Sequence, residues 1–96
     1  MNRGEILNRL RRAKPSLEAR FGVVALGLFG SSARDAATAA SDVDILVAFD
    51  GPATSERYFG VQFFIEDLLE KPVDLVTRKA LRPELRPFVE REVIDV

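Results

Sequence analysis

The sequence predicts a small domain of the α/β (α+β) class, a small mixed β-sheet with helices packed against it. Three observations carry this. Apolar residues recur at helical spacing near the N-terminus and again in the middle of the chain. Short apolar runs rich in β-branched residues stand between them, bounded by glycine, proline and aspartate. The two patterns alternate along 96 residues, a length that holds one core and reads as a single domain spanning 1–96.

The elements follow in order. Asn2, with Glu5 three residues on, resembles a capping box. Ile6, Leu7, Leu10 and Ala13 then form a helical stripe, with Arg9, Arg11 and Arg12 on the solvent side. Pro15 lacks an N–H and disfavours helix at Lys14, so the spacing predicts a break there and a second short helix, Pro15 to Arg20, with Leu17 turned inward. Gly22 ends it. Val23 to Phe29 reads as a buried strand, Gly30-Ser31-Ser32 as a turn, and Ser31 to about Ala37 as a short helix. Thr38 to Ser41 is a loop. Asp42 to Phe49 is a second strand, closed by Asp50-Gly51-Pro52. Helical spacing returns from about Thr54 to Glu70, with Phe59, Phe63, Leu68 and Leu69 as the inward stripe and Val61 or Ile65 beside them. Lys71-Pro72 stops this helix and Val73 to Val76 is a third strand. Leu81 to Val93 is helical in pieces starting at Pro83 and Pro87, and Val93 to Val96 is a last strand.

Composition narrows the chemistry. The chain has no cysteine and no histidine, which excludes disulfides, thiolate metal sites, imidazole bases and Ser-His-Asp triads. Any catalysis falls to carboxylates and arginines. The net charge of −1 gives no pull toward nucleic acid or an anionic membrane, so direct nucleic-acid binding is not expected. No apolar run approaches the roughly 18 residues of a membrane span, and Met1 to Leu10 has no signal core. The expected location is cytoplasmic.

The chemistry concentrates between Leu28 and Val47, LFGSSARDAATAASDVDILV. Asp42 and Asp44 stand two apart at the start of a strand, so their side chains share a face. Like charges so placed repel unless a cation sits between them, and Mg²⁺ prefers such hard oxygen ligands. The plainer reading is a turn residue plus a strand-entrance cap. Against it, Asp44 lies within an apolar run, where an unpaired charge is expensive. Gly30-Ser31 follows a strand and opens a helix, a place where backbone N–H groups receive phosphate; the alternative is a serine N-cap. Asp74, in PVDLV, is either a third carboxylate of the cluster or a strand-edge residue paired with an arginine. Arg34 either clamps phosphates or stands in solvent. Arg78 and Lys79 reach substrate or lie on a solvated loop. Phe59, Phe63 and Phe64 read as core.

Together these segments, FGSSAR, SDVDILV, KPVDLVT and LRPELRPFVEREV, resemble a known family. Gly30-Ser31, ten intervening residues and then Asp42-Val43-Asp44 is similar to the signature of the polymerase-β-like nucleotidyltransferase superfamily. The fuller pattern, covering Gly22 to Val96, looks like its minimal nucleotidyltransferase (MNT) branch, which includes MntA-type antitoxins paired with HEPN-domain toxins. The resemblance implies Asp42, Asp44 and Asp74 as catalytic and metal-holding carboxylates, with Gly30, Ser31 and Arg34 at the nucleotide. It implies Mg²⁺ or Mn²⁺, ATP as co-substrate, and transfer of AMP or another nucleoside monophosphate to a hydroxyl, with a tyrosine of a partner HEPN toxin as the expected acceptor. The competing readings are an antitoxin that docks without catalysis, and transfer to a small molecule or an RNA end. Family members often have glycine after the arginine that follows the turn; here Asp35 follows Arg34.

Overall fold

A computed structural model describes all residues, Met1–Val96. Its first element, helix α1, spans Arg3–Phe21, with the Asn2 side chain accepting from the Glu5 N–H at 2.9 Å as the capping pattern predicts. Ile6, Leu7, Leu10, Ala13 and Leu17 are all buried. Pro15 does not divide the segment: α1 is one helix of 19 residues with the proline inside it. Arg11, whose carbonyl loses its helical donor, and Pro15 are both exposed. Water can solvate that carbonyl, while Ala13 and Leu17 keep the buried stripe continuous across the proline. The helix ends at Gly22 (φ 71°), whose N–H donates to the Glu18 carbonyl.

Strand β1 (Val23–Phe29) leads into a single helical turn, α2 (Gly30–Ala33). This turn is shorter than the expected helix to Ala37, because Asp35 adopts a left-handed conformation (φ 57°) that ends it. Strand β2 (Val43–Phe49), helix α3 (Ser55–Leu69), strand β3 (Val73–Thr77), helix α4 (Arg86–Glu92) and the short strand β4 (Ile94–Asp95) complete the chain. Only Arg86–Glu92 of the C-terminal segment is α-helix; Pro83 lies in a turn instead of opening a helix of its own.

The sheet order is β3-β2-β1-β4. β1 runs antiparallel to β2 and to β4, and β2 runs parallel to β3 through the α3 crossover, so the sheet is mixed as expected. Strand alternation divides its residues between two faces. Val43, Ile45 and Val47 of β2, Leu26 and Leu28 of β1, and Val73 and Leu75 of β3 form one core with α1 and α3. The opposite face is covered only in part: Leu46 packs with Leu81 and Val89 of the C-terminal segment, with Phe29, Val76 and Val93 beside them. Asp44 and Asp74 belong to this second face.

The inward stripe of α3 is Val61, Ile65 and Leu69, not the expected phenylalanines. Phe59 and Phe63 are 47% and 59% exposed and stack on each other, ring centroids 6.0 Å apart. Both pairs have i, i+4 spacing, so periodicity alone cannot choose between them. The packing decides it: Val61, Ile65 and Leu69 join the core shared with α1 and the sheet, and on the flank of α3 the Phe21 ring lies so close to Gly60 that a Cβ there would overlap it. Phe64 is half-buried against the core, as expected. No helix is long and apolar enough to cross a membrane.

Candidate functional site at the Gly30 turn and the aspartate strands

The residues singled out in the sequence gather at one edge of the partly covered sheet face. Phe29 pairs with Asp44 across β1 and β2, so the chain enters the Gly30 turn directly beside the Asp44 side chain. Gly30 has φ 72°, a conformation that side chains disfavour. A Cβ on Gly30 would also overlap the Asp44 carboxylate. Two independent constraints therefore demand glycine here.

Asp44 and Asp74 are register neighbours in the parallel pair, and adjacent strands lie about 4.8 Å apart. Asp42 precedes β2 by one residue and is exposed, as is Asp74; Asp44 is half-buried. Asp44 is pushed up to about 6 from an ordinary 3.8, first by burial, then by the negative charge of Asp74 and of Asp42, by a hydrogen bond with Asp74, and by Glu92.

The partners that the plainer readings of these aspartates call for are not found beside them. The two side-chain ion pairs of the chain are Arg34–Glu92 and Arg57–Asp50, so Asp74 has no arginine partner. The loop before β2 is closed by Ser41, whose hydroxyl accepts from the Thr38 N–H at 3.0 Å, without help from Asp42.

The three carboxylates do not form a closed three-ligand cluster in this conformation. Their chemistry nevertheless suits a hard divalent cation: oxygen donors on one face, no protein counter-charge, and one carboxyl forced toward its protonated form by burial and by its neighbours. A magnesium ion held by one or two carboxylates completes its shell with water and phosphate oxygens, so it needs no closed protein cage.

Ser31 is half-buried in the turn. Its neighbour Ser32, which carried no role in the sequence reading, is 2% exposed and its hydroxyl makes no hydrogen bond. Arg34 does reach the turn, but Glu92 holds it. Glu92 Oε2 accepts from Arg34 Nη1 at 2.8 Å, and Glu92 Oε1 accepts from the Gly30 N–H at 3.0 Å. The sequence reading missed Glu92. The available signal was an acidic residue in the last turn of a helix, where the dipole favours a base.

Asp35 resolves the departure from the family pattern. Its left-handed φ is the conformation that glycine adopts most freely. Its carboxylate also accepts from the Arg3 N–H at 3.2 Å, while Arg3 Nη1 donates to the Ala33 carbonyl at 3.1 Å, so the residue ties the turn to the start of α1.

Arg78 and Lys79 follow the far end of β3, roughly 13 Å of strand from Asp74. With Arg86 they line a separate cavity of about 310 Å³ floored by Val47, Ala48 and Phe49.

Known proteins share the sequence and the fold. Residues 10–96 match the family described as nucleotidyltransferase domain. The chain is 39% identical over 92 residues to protein adenylyltransferase MntA of Thermococcus cleftensis, covering 96% of this chain and 93% of that one. A solved structure provisionally described as a minimal nucleotidyltransferase is 41% identical, with a TM-score of 0.84 over 100% of this chain and 97% of the other. At 21% identity the fold alone is shared with an assembly of the tri-AMPylated HEPN toxin of Shewanella oneidensis and its MNT antitoxin (TM-score 0.60, 98% of this chain and 67% of that one). Matched over most of its length in sequence and over all of it in fold, the chain belongs to the nucleotidyltransferase domain family.

Proposed function

We propose that the chain transfers AMP from ATP to a hydroxyl of a partner protein, a tyrosine of a HEPN-type toxin, and thereby acts as an antitoxin. The observation that carries this reading is the group of three unpaired aspartates beside a glycine turn whose backbone presses on one of them. The match to a protein adenylyltransferase over 96% of the chain supplies the choice of AMP and of a protein acceptor. The shared fold of an antitoxin seen with its modified toxin supports the partner.

In this reading Asp42, Asp44 and Asp74 hold Mg²⁺ or Mn²⁺. Bound there, the cation neutralises triphosphate charge and lowers the pKa of the acceptor hydroxyl. Gly30 and Ser31 receive the β- and γ-phosphates, and Arg34 adds a fixed positive charge beside them. The acceptor oxygen attacks the α-phosphorus in line and pyrophosphate leaves. The exposure of Asp74 at the edge of the face supports the acceptor side for it, and the half-buried position of Asp44 against Gly30 supports the nucleotide side.

Intact mass spectrometry of a HEPN toxin co-expressed with this chain tests the proposal. The expected result is a toxin heavier by one or more AMP units with the wild type and unshifted with Asp42→Asn. If Asp42→Asn neutralises an unmodified toxin as well as the wild type does, docking is the mechanism and the transfer reading of its role falls.

A further inference from the structure

The proposed reading gives Gly30 and Arg34 a shared anionic ligand, and in the folded chain they already share one. Glu92, the last residue of α4, bridges them with its two carboxylate oxygens, one at 3.0 Å from the Gly30 backbone nitrogen and one at 2.8 Å from Arg34 Nη1. Two oxygens of one anion on a backbone N–H and a guanidinium is the contact a phosphate group makes.

Helix stability does not account for the position. A carboxylate at a helix C-terminus faces the negative end of the dipole and is unfavourable there. Glu92 also adds a fourth negative charge to a face that carries Asp42, Asp44 and Asp74, and it contributes to the repulsion felt by Asp44. Its one ion pair is to an arginine whose side chain is 55% exposed, and such pairs contribute little to folding. The contact is therefore weak enough to release, and it is built from the two groups best suited to hold a phosphate.

We infer that Glu92 occupies the phosphate position of the nucleotide-free protein, bridging Gly30 and Arg34, and that an incoming triphosphate must displace it. The inference deepens the proposed function and rests on it. Glu92 acts as an internal competitor: it keeps Arg34 aimed at the turn, lowers the apparent affinity for the nucleotide, and repels anions that cannot take over both donors. On displacement, Arg34 and the Gly30 N–H pass to the phosphate and the Glu92 carboxylate moves into solvent.

The test is titration calorimetry of the full chain, wild type, Glu92→Gln and Glu92→Ala, with Mg²⁺ present and with three probes: ATP, pyrophosphate and adenosine. Both variants should bind ATP and pyrophosphate about threefold to fivefold more tightly than the wild type, the upper range for releasing an exposed ion pair, with adenosine unaffected. Glu92→Asp retains the charge but is one methylene too short to bridge both donors, so it should also bind tighter, and it serves if the other variants fold poorly. A purely structural strut gives the opposite pattern. Glu92→Gln, which still offers an oxygen to the Gly30 N–H, would then bind like the wild type and Glu92→Ala more weakly, and that result overturns the inference. Should the wild type and Glu92→Gln bind alike while Asp44→Asn loses binding, the competitor role alone fails. Should no variant bind ATP or pyrophosphate, the proposed function fails with it.

Discussion

The carboxylate of Asp44 rests against the α-carbon of Gly30, so closely that the space a side chain at Gly30 would fill is already taken. The contact joins the phosphate turn to the aspartate strand through the Phe29–Asp44 pairing of β1 and β2. Gly30→Ala should therefore damage both fold and function. A non-glycine residue at φ 72° costs about 1–2 kcal/mol, and the displaced Asp44 side chain adds to it. A loss of about 2 kcal/mol, read by urea denaturation, would lower the melting temperature of a domain this size by roughly 8–16 °C. Nucleotide binding should vanish at temperatures where the variant is still folded. A variant as stable as the wild type would show that the turn relaxes without cost.

Asp44 also sets a pH dependence with an unusual sign. Its pKa is raised on folding, from 3.8 to about 6, so between those values the native state holds a proton that the unfolded chain has released. Stability from this group is complete below the unfolded value and is lost as pH rises through about 6. Discounted for the partial exposure of the side chain, the loss is about 1–2 kcal/mol. Metal-free Asp44→Asn should match the wild type near pH 4 and exceed its stability by about that amount at pH 7.5. Melting curves at the two pH values decide it, and a large loss of stability at pH 7.5 would make Asp44 a structural residue. Metal-dependent nucleotide binding should run the other way, weakening as pH falls below about 6, because the carboxyl must release its proton to ligate.

The fold and the site were legible in the sequence to different depths, for physical reasons. Strands β1, β2 and β3 stand out because each is a short apolar run closed by glycine, proline or aspartate. Asp44 and Asp74 stand out because they interrupt such runs. What local pattern could not supply was tertiary. Pro15 reads as a break until Leu10, Ala13 and Leu17 are seen to share one buried face across it. Phe59 and Phe63 read as core because they are large, and only the packing of Val61, Ile65 and Leu69 against α1 and the sheet shows which side of α3 faces inward. Glu92 lies 62 residues from Gly30, a separation over which no motif links them. Asp35 looked like an anomaly because its backbone angle and its bond to Arg3 are invisible in one dimension.

The orientation of α3 has its own test. Ile65 is fully buried, whereas Phe59 and Phe63 lie on the outer face with one another as aromatic neighbours. Ile65→Ala should cost about 2–5 kcal/mol as a core truncation. Phe63→Ser, which loses one exposed aromatic stack, should cost less than about 1 kcal/mol, and Phe59→Ser, which also loses the edge contact with Tyr58, should still cost less than Ile65→Ala. Chemical denaturation of the three variants gives the comparison. A phenylalanine substitution as costly as Ile65→Ala would place that ring in the core and reverse the assignment of the helix face.

The metal requirement follows from charge alone. Asp42, Asp44, Asp74 and Glu92 all bear on one face, and the single cation paired there, Arg34, is already engaged. A triphosphate brings several more negative charges to that face, and carboxylates and phosphates in contact repel strongly unless a cation lies between them. ATP should therefore bind only with Mg²⁺ or Mn²⁺ present. Calorimetric titration in the metal should show saturable binding that EDTA abolishes. Substituting Asp42 or Asp74 with asparagine should weaken the metal-dependent binding while leaving the melting temperature of the metal-free protein unchanged or raised, since each change removes like-charge repulsion from an exposed position. Binding of equal strength in EDTA would mean that Arg34 and the Gly30 turn hold the phosphates unaided, and the three aspartates would then need another explanation.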